Sequence, residues 1–116
     1  MTSLSDQMCS DIERLELNAP RVTKQEIDAL MAQVEFQTHV VPGTNTTHAS
    51  AIYNGFVLAV GETSCVSDAN FNAELGAKYA IEKAKVKAFD KLWELEGWRL
   101  KRHLESEQKR RINNVE

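Results

Sequence analysis

Asn54-Gly55 lies between two runs of β-forming residues, Thr47 to Tyr53 and Phe56 to Val60, and this arrangement constrains the fold more than any other local feature. Asn-Gly accepts the positive φ angles that a type I′ turn demands at both central positions, and the twist of that turn matches the strands it joins. The two runs therefore predict an antiparallel hairpin. Upstream, Val34 to Val41 alternates roughly and is rich in β-formers, which predicts a third strand. Pro42-Gly43-Thr44-Asn45 supplies the loop between them. The expected sheet is a small three-stranded antiparallel meander. Gly61, after the last run, marks a bulge or the close approach of another backbone. Without a second glycine or a P-loop lysine it is not a phosphate loop.

Helix signals flank this sheet. Thr23-Lys24-Gln25-Glu26 is a capping box, in which the threonine hydroxyl and the glutamate each satisfy an orphan backbone N–H. Val22 and Ile27 hold the positions of a hydrophobic staple, so a short helix is expected over residues 24–33. Beyond the hairpin, Gly61 to Val66 leads off the last strand into a corner. Ser67 is placed to cap a helix there, with Asp68 favoured in the first turn by the helix dipole. The helix is expected over residues 68–96, with Gly97 as its C-terminal cap and Trp98 to Arg111 adding a further turn or two. Near the N-terminus, Leu4, Met8, Ile12 and Leu15 recur at helical spacing, a narrow stripe that predicts an arm docking elsewhere. The expected class is α+β: an N-terminal helix or helices, the meander, and a long C-terminal helix packed on the sheet.

That long helix carries two apolar faces. At about 100° per residue, Ala69, Ala73, Gly76, Ala77, Ala80, Ala84 and Ala88 fall on one side. Phe71, Leu75, Tyr79, Val86, Phe89 and Trp93 fall nearly opposite. Such a helix needs two surfaces to pack against, and the sheet supplies one. The other implies a partner, and the expectation is a homo-oligomer, most simply a two-fold dimer. Gly76, Ala77, Ala80, Ala84 and Ala88 admit close approach of another backbone and are the expected oligomer face. The alternative is that the N-terminal helices cover the second face within the chain.

Length and charge bound the rest. A chain of 116 residues can bury one modest core. Apolar residues at 42% and charged ones at 27% match globular proteins, which argues against wholesale disorder. The net charge of −3 gives no global reason to expect nucleic-acid binding. Cys9 and Cys65 have no metal-like spacing and are too few for a disulfide framework. Asp6 and Asp11 stand where a signal peptide needs a basic, then apolar, run, and nothing approaches the roughly 20 apolar residues of a membrane span. A soluble, reducing, cytoplasmic setting without membrane contact is expected. Asn45-Thr46-Thr47 matches a glycosylation sequon that has no meaning in that setting.

Charge is unevenly laid out. From Phe36 to Gly61 there is no Asp, Glu, Lys or Arg. An uncharged middle of this kind is a sheet buried on one face and covered, or paired with another chain, on the other. The later lysines, and Lys101, Arg102, Lys109, Arg110 and Arg111, offer a basic surface to nucleic acid. Interleaved Glu105 and Glu107 favour a solvated helix with internal ion pairs instead.

Little catalytic chemistry is visible. Cys65 stands near a helix N-terminus, a setting that activates thiols, and His39 or His48 would be its base. No third orienting group accompanies them, and a buried small thiol is the commoner outcome. Glu62, Asp68 and Glu74 lack histidine and any metal-ligand spacing, so neither metal nor cofactor is expected.

Asn54-Gly55-Phe56, Gly61-Glu62, Cys65, Asn70-Phe71, Glu74, Gly76, Ala80, Trp93 and Gly97 together resemble a family of small tailed-phage proteins. Its types are gene product forty-nine of coliphage N-four and gene product sixty-six of Shigella phage Sf-six. The resemblance implies a phage accessory protein and brings no biochemical activity with it. It divides a single domain of 116 residues into an N-terminal helical arm (1–20), a family-like core (22–98) and a charged tail (99–116).

The resemblance also draws attention to Glu62, Asn70, Asn72 and Glu74 as binding residues around the corner. Backbone N–H groups at the helix start would attract a carboxylate or phosphate, but Asp68 and Glu74 would repel it. Glu62 is therefore expected to accept those N–H groups itself, as the cap of a buried turn, leaving at least one of Asn70, Asn72 and Glu74 to touch a partner. The leading expectation is a non-enzymatic protein that binds a host protein or small ligand, blunting a host defence. A nucleic-acid-associated factor using the basic helix and tail is the alternative, and an enzyme centred on Cys65 or Glu62 comes third.

Overall fold

The computed structural model describes residues 4–14 and 19–113. Leu15, the last of the N-terminal stripe, lies outside them. The chain runs α1 (Leu4–Arg14), α2 (Lys24–Met31), β1 (Val34–Val40), β2 (Thr46–Tyr53), β3 (Phe56–Ser64) and α3 (Ala73–Asn113). The sheet is antiparallel in the order β1-β2-β3, the expected meander. The α+β class is as the residues predict.

The hairpin turn and the α2 cap form where the residues place them. Thr23 accepts a hydrogen bond from the Glu26 N–H at 3.2 Å and starts α2. Asn54 and Gly55 take φ of 46° and 82°, the positive pair a type I′ turn needs. β3 runs beyond Val60 because β2 begins at Thr46 and offers ladder partners as far as Ser64. The Thr46 and Ser64 hydroxyls then meet at 2.8 Å. Leu58 is the extra residue of a β-bulge between the pairs Ala51↔Ala59 and Ile52↔Val57, and it turns into the core.

α3 differs from expectation at both ends. Asp68–Asn70 winds only as a 3₁₀ turn, without a side-chain cap from Ser67, and Phe71 is extended. The helix starts at Ala73, capped by Asn72, whose Oδ1 accepts the Leu75 N–H at 3.1 Å. It then passes straight through Gly97 to Asn113. Ion pairs Arg99–Glu96 and Lys101–Glu105, with a contact between His103 and Glu107 at 3.1 Å, support the distal half. A helix of 41 residues is about 60 Å long, which explains the 72 × 33 × 20 Å extents of the molecule. A Cβ at Gly97 would meet nothing within 4 Å. Gly97→Ala is therefore expected to raise stability by roughly 0.5–1 kcal/mol, as glycine carries that penalty inside a helix. A lowered midpoint in a thermal melt would contradict a helical Gly97.

The core is the seam between α3 and one face of the sheet. Ala49, Ala51, Ala80, Ala84 and Ala88 are fully buried there, with Leu58, Leu92 and, from α2, Ile27. α3 lies mainly over β3 and β2 and touches β1 least. Among the described residues no helix is long and apolar enough to cross a membrane.

Candidate functional site

The corner after β3 is smaller than expected and does not include Glu62. That residue sits inside β3 opposite His48, its Oε2 3.2 Å from His48 Nε2, on the sheet face away from α3. Asn72, and not Glu62, accepts the N–H at the start of α3, so the capping role of Glu62 is corrected to an exposed cross-strand pair. Such pairs contribute about 0–1 kcal/mol. His39 lies directly opposite His48, their rings edge to face at 5.4 Å. One row of the open face therefore reads His39, His48, Glu62 across the three strands.

Asn70, Asn72 and Glu74 are all exposed. Asn70 and Asn72 line a hollow of about 130 Å³ with Asn45, Cys65, Phe71 and Tyr79. Asn45 reaches across to donate to the Asp68 carboxylate, tying the β1–β2 loop to the 3₁₀ turn. The Cys65 thiol donates to the Ser67 carbonyl at 3.2 Å, while both histidines are engaged in their own row. Asn72 is partly committed, since its side-chain oxygen caps α3.

The expected oligomer face is closed from within the chain. Ala80, Ala84 and Ala88 are 0% exposed against the sheet, and Ala77 is half-buried. A Cβ on Gly76 would come within 2.8 Å of Thr47 Oγ1. Small side chains on α3 meet small ones on the sheet, so the two backbones approach closely. This corrects the assignment of Gly76, Ala77, Ala80, Ala84 and Ala88 to a partner. The bulky face divides: Phe89 and Trp93 pack against the core, edge to face at 6.1 Å. Leu75, Tyr79 and Val86 remain 50%, 53% and 64% exposed, an apolar row continuing out of the corner hollow.

Residues 22–104 match the model of the phage protein (N4 Gp49/phage Sf6 gene 66) family. The chain belongs to this phage protein family. Its matched span takes in α2, the sheet, the corner and most of α3, and leaves α1 outside. A search of curated proteins and of solved structures finds no match.

A second concavity, unforeseen in the sequence, lies where α1 meets this family core. Lys24 joins the two, 3.5 Å from Asp6 and 2.8 Å from Asp28. The Asp28 hydrogen bond holds the Lys24 ammonium above its ordinary pKa against partial desolvation, with Asp6 adding to the effect. Met8, Cys9, Ile12, Val22, Arg21 and Trp93 line a cavity of about 360 Å³. Among the described residues the buried Trp93 indole Nε1 has no hydrogen-bond partner. The stripe Met8/Ile12 was legible in the sequence, as was the alternative that N-terminal helices cover the bulky face of α3, on which Trp93 lies.

Proposed function

We propose that this phage protein is a non-enzymatic accessory factor that acts in the host cytoplasm as a homodimer. It binds a host protein through the corner hollow and the Leu75–Tyr79–Val86 row, and so blunts a host defence. The observation that carries the reading is that row, exposed on α3 beside exposed Asn70. Aromatic and aliphatic side chains next to amides make a docking surface. At about 130 Å³ the hollow is below the roughly 300–1,000 Å³ of small-molecule sites, so it suits one side chain of a protein. The engagement of Cys65 with Ser67, and of the histidines with each other and Glu62, supports a binding role over catalysis.

A second reading rests on the α1 cavity. Its size falls within the small-molecule range, and the partnerless indole N–H would favour an apolar ligand bearing a hydrogen-bond acceptor. One experiment separates the two. Tagged wild type and a Leu75→Ser/Tyr79→Ser variant are used to capture material from host lysate, with mass spectrometry of proteins and of small molecules. A host protein held by wild type and lost from a folded variant is the expected result. Identical protein sets from both would refute the docking row, and a small molecule held by both would move the function to the cavity.

A further inference from the structure

We propose that the free edge of β1 is where two copies of this chain join, strand against strand about a two-fold axis at Gln37. The inference rests on the preceding reading only for self-association; the surface and register are new.

The two edges of the sheet are treated differently. β3 carries the bulge at Leu58, and Lys87 Nζ reaches its Val60 carbonyl at 3.2 Å. Bulges and lysines are devices that stop strands from pairing further. β1, Val34–Val40, has no proline, lysine or arginine, and its register against β2 is unbroken. Among the described residues no strand lies beyond it. Val41 donates its N–H inward to Thr46 at 2.9 Å. By alternation, the N–H and C=O groups of Val34, Phe36, Thr38 and Val40 point outward. An edge left in this state is a template for another strand.

The edge complements itself. Antiparallel pairing centred on Gln37 sets Val34 opposite the second copy's Val40, Phe36 opposite its Thr38 and Glu35 opposite its His39. A carboxylate facing an imidazole across strands can accept its N–H, whereas like charges in that position are destabilising. Glu35 would then end the row of the second copy, so that each His39–His48 pair lies between two carboxylates, Glu62 and the second copy's Glu35. Valine meets valine at the ends, where Val40 is 38% exposed in the single chain. On the helix side Lys85 stands over Phe36, and Glu82 balances it at 3.4 Å. α3 is displaced toward β3, which leaves the β1 side open to the second copy's sheet. Closure follows, because the six-stranded sheet ends in two β3 edges, both protected.

The test uses the full chain. Sedimentation at micromolar concentration should give wild type at twice the 13.1 kDa chain mass. Thr38→Pro removes only an outward N–H and should give a monomer with an unchanged circular dichroism spectrum. Gln37→Cys, with Cys9 and Cys65 changed to serine, should form a covalent dimer in air. Two residues facing each other across the axis at a non-hydrogen-bonded position have Cα atoms about 4.5 Å apart, within disulfide reach. Val57→Cys, on the open face, should not. Wild type sedimenting at 13.1 kDa would overturn the dimer and this inference together. A wild-type dimer in which Gln37→Cys fails to cross-link would overturn the register alone, whether or not Thr38→Pro folds.

Discussion

Gly61→Val is expected to leave the chain largely unfolded at room temperature. A Cβ at this position runs into the Ala80 carbonyl oxygen and the Ala84 backbone nitrogen, both parts of the α3 backbone. A flexible side chain can step aside, whereas a hydrogen-bonded helix has to be displaced bodily. Overpacking ordinarily costs about 1–3 kcal/mol, and a branched side chain against backbone falls above that range. Small domains have only roughly 5–15 kcal/mol in total, so the loss is a large share. Urea unfolding monitored by far-UV circular dichroism reads it directly. A midpoint equal to wild type would show that α3 does not lie on β3 in this way.

Ile27→Ala is the second large effect, at a place where the mechanism is a void instead of a clash. Ile27 is fully buried and is the largest side chain that α2 contributes to the core. Removing its three terminal carbons should cost roughly 2–5 kcal/mol, the upper part applying if α2 cannot settle into the space. Because the α2 cap at Thr23 is untouched, helix content should fall little before the main transition. A loss below about 0.5 kcal/mol would mean that α2 is only loosely docked.

What was legible in the sequence was local. Asn54-Gly55 and Thr23 encode their turn and their cap within four residues: the turn takes its positive φ pair, and Thr23 accepts the Glu26 N–H. Family membership was carried by residues spread from Asn54 to Gly97 and holds over residues 22–104. Misread features depended on neighbours distant in sequence. Glu62 looked like a corner residue because the hydrophobic run stops at Val60, but the ladder partner offered by His48 keeps it in the strand. The α3 start looked like Ser67 by cap chemistry, yet Asn72 was an equally good cap and holds that place because Phe71 is extended at the corner. Periodicity separated Ala80, Ala84 and Ala88 from Leu75, Tyr79 and Val86, while Ala69 and Phe71 fall before α3 begins. Periodicity could not say which face the sheet takes. Gly61 held the answer, since a glycine facing Ala80 and Ala84 allows the smallest face of α3 to come closest.

That choice of face decides which side chains are left for a partner. It can be tested by thiol labelling of Ala84→Cys and Val86→Cys proteins in which Cys9 and Cys65 are serine. Ala84 is 0% exposed and Val86 64%. Val86→Cys should react with a maleimide at the rate of a free thiol. Ala84→Cys should react at least about a hundredfold more slowly, as labelling there requires α3 to lift from the sheet at a cost of roughly 3 kcal/mol or more. Equal rates at the two positions, or faster labelling at Ala84→Cys, would contradict it and return the small-residue face to the surface.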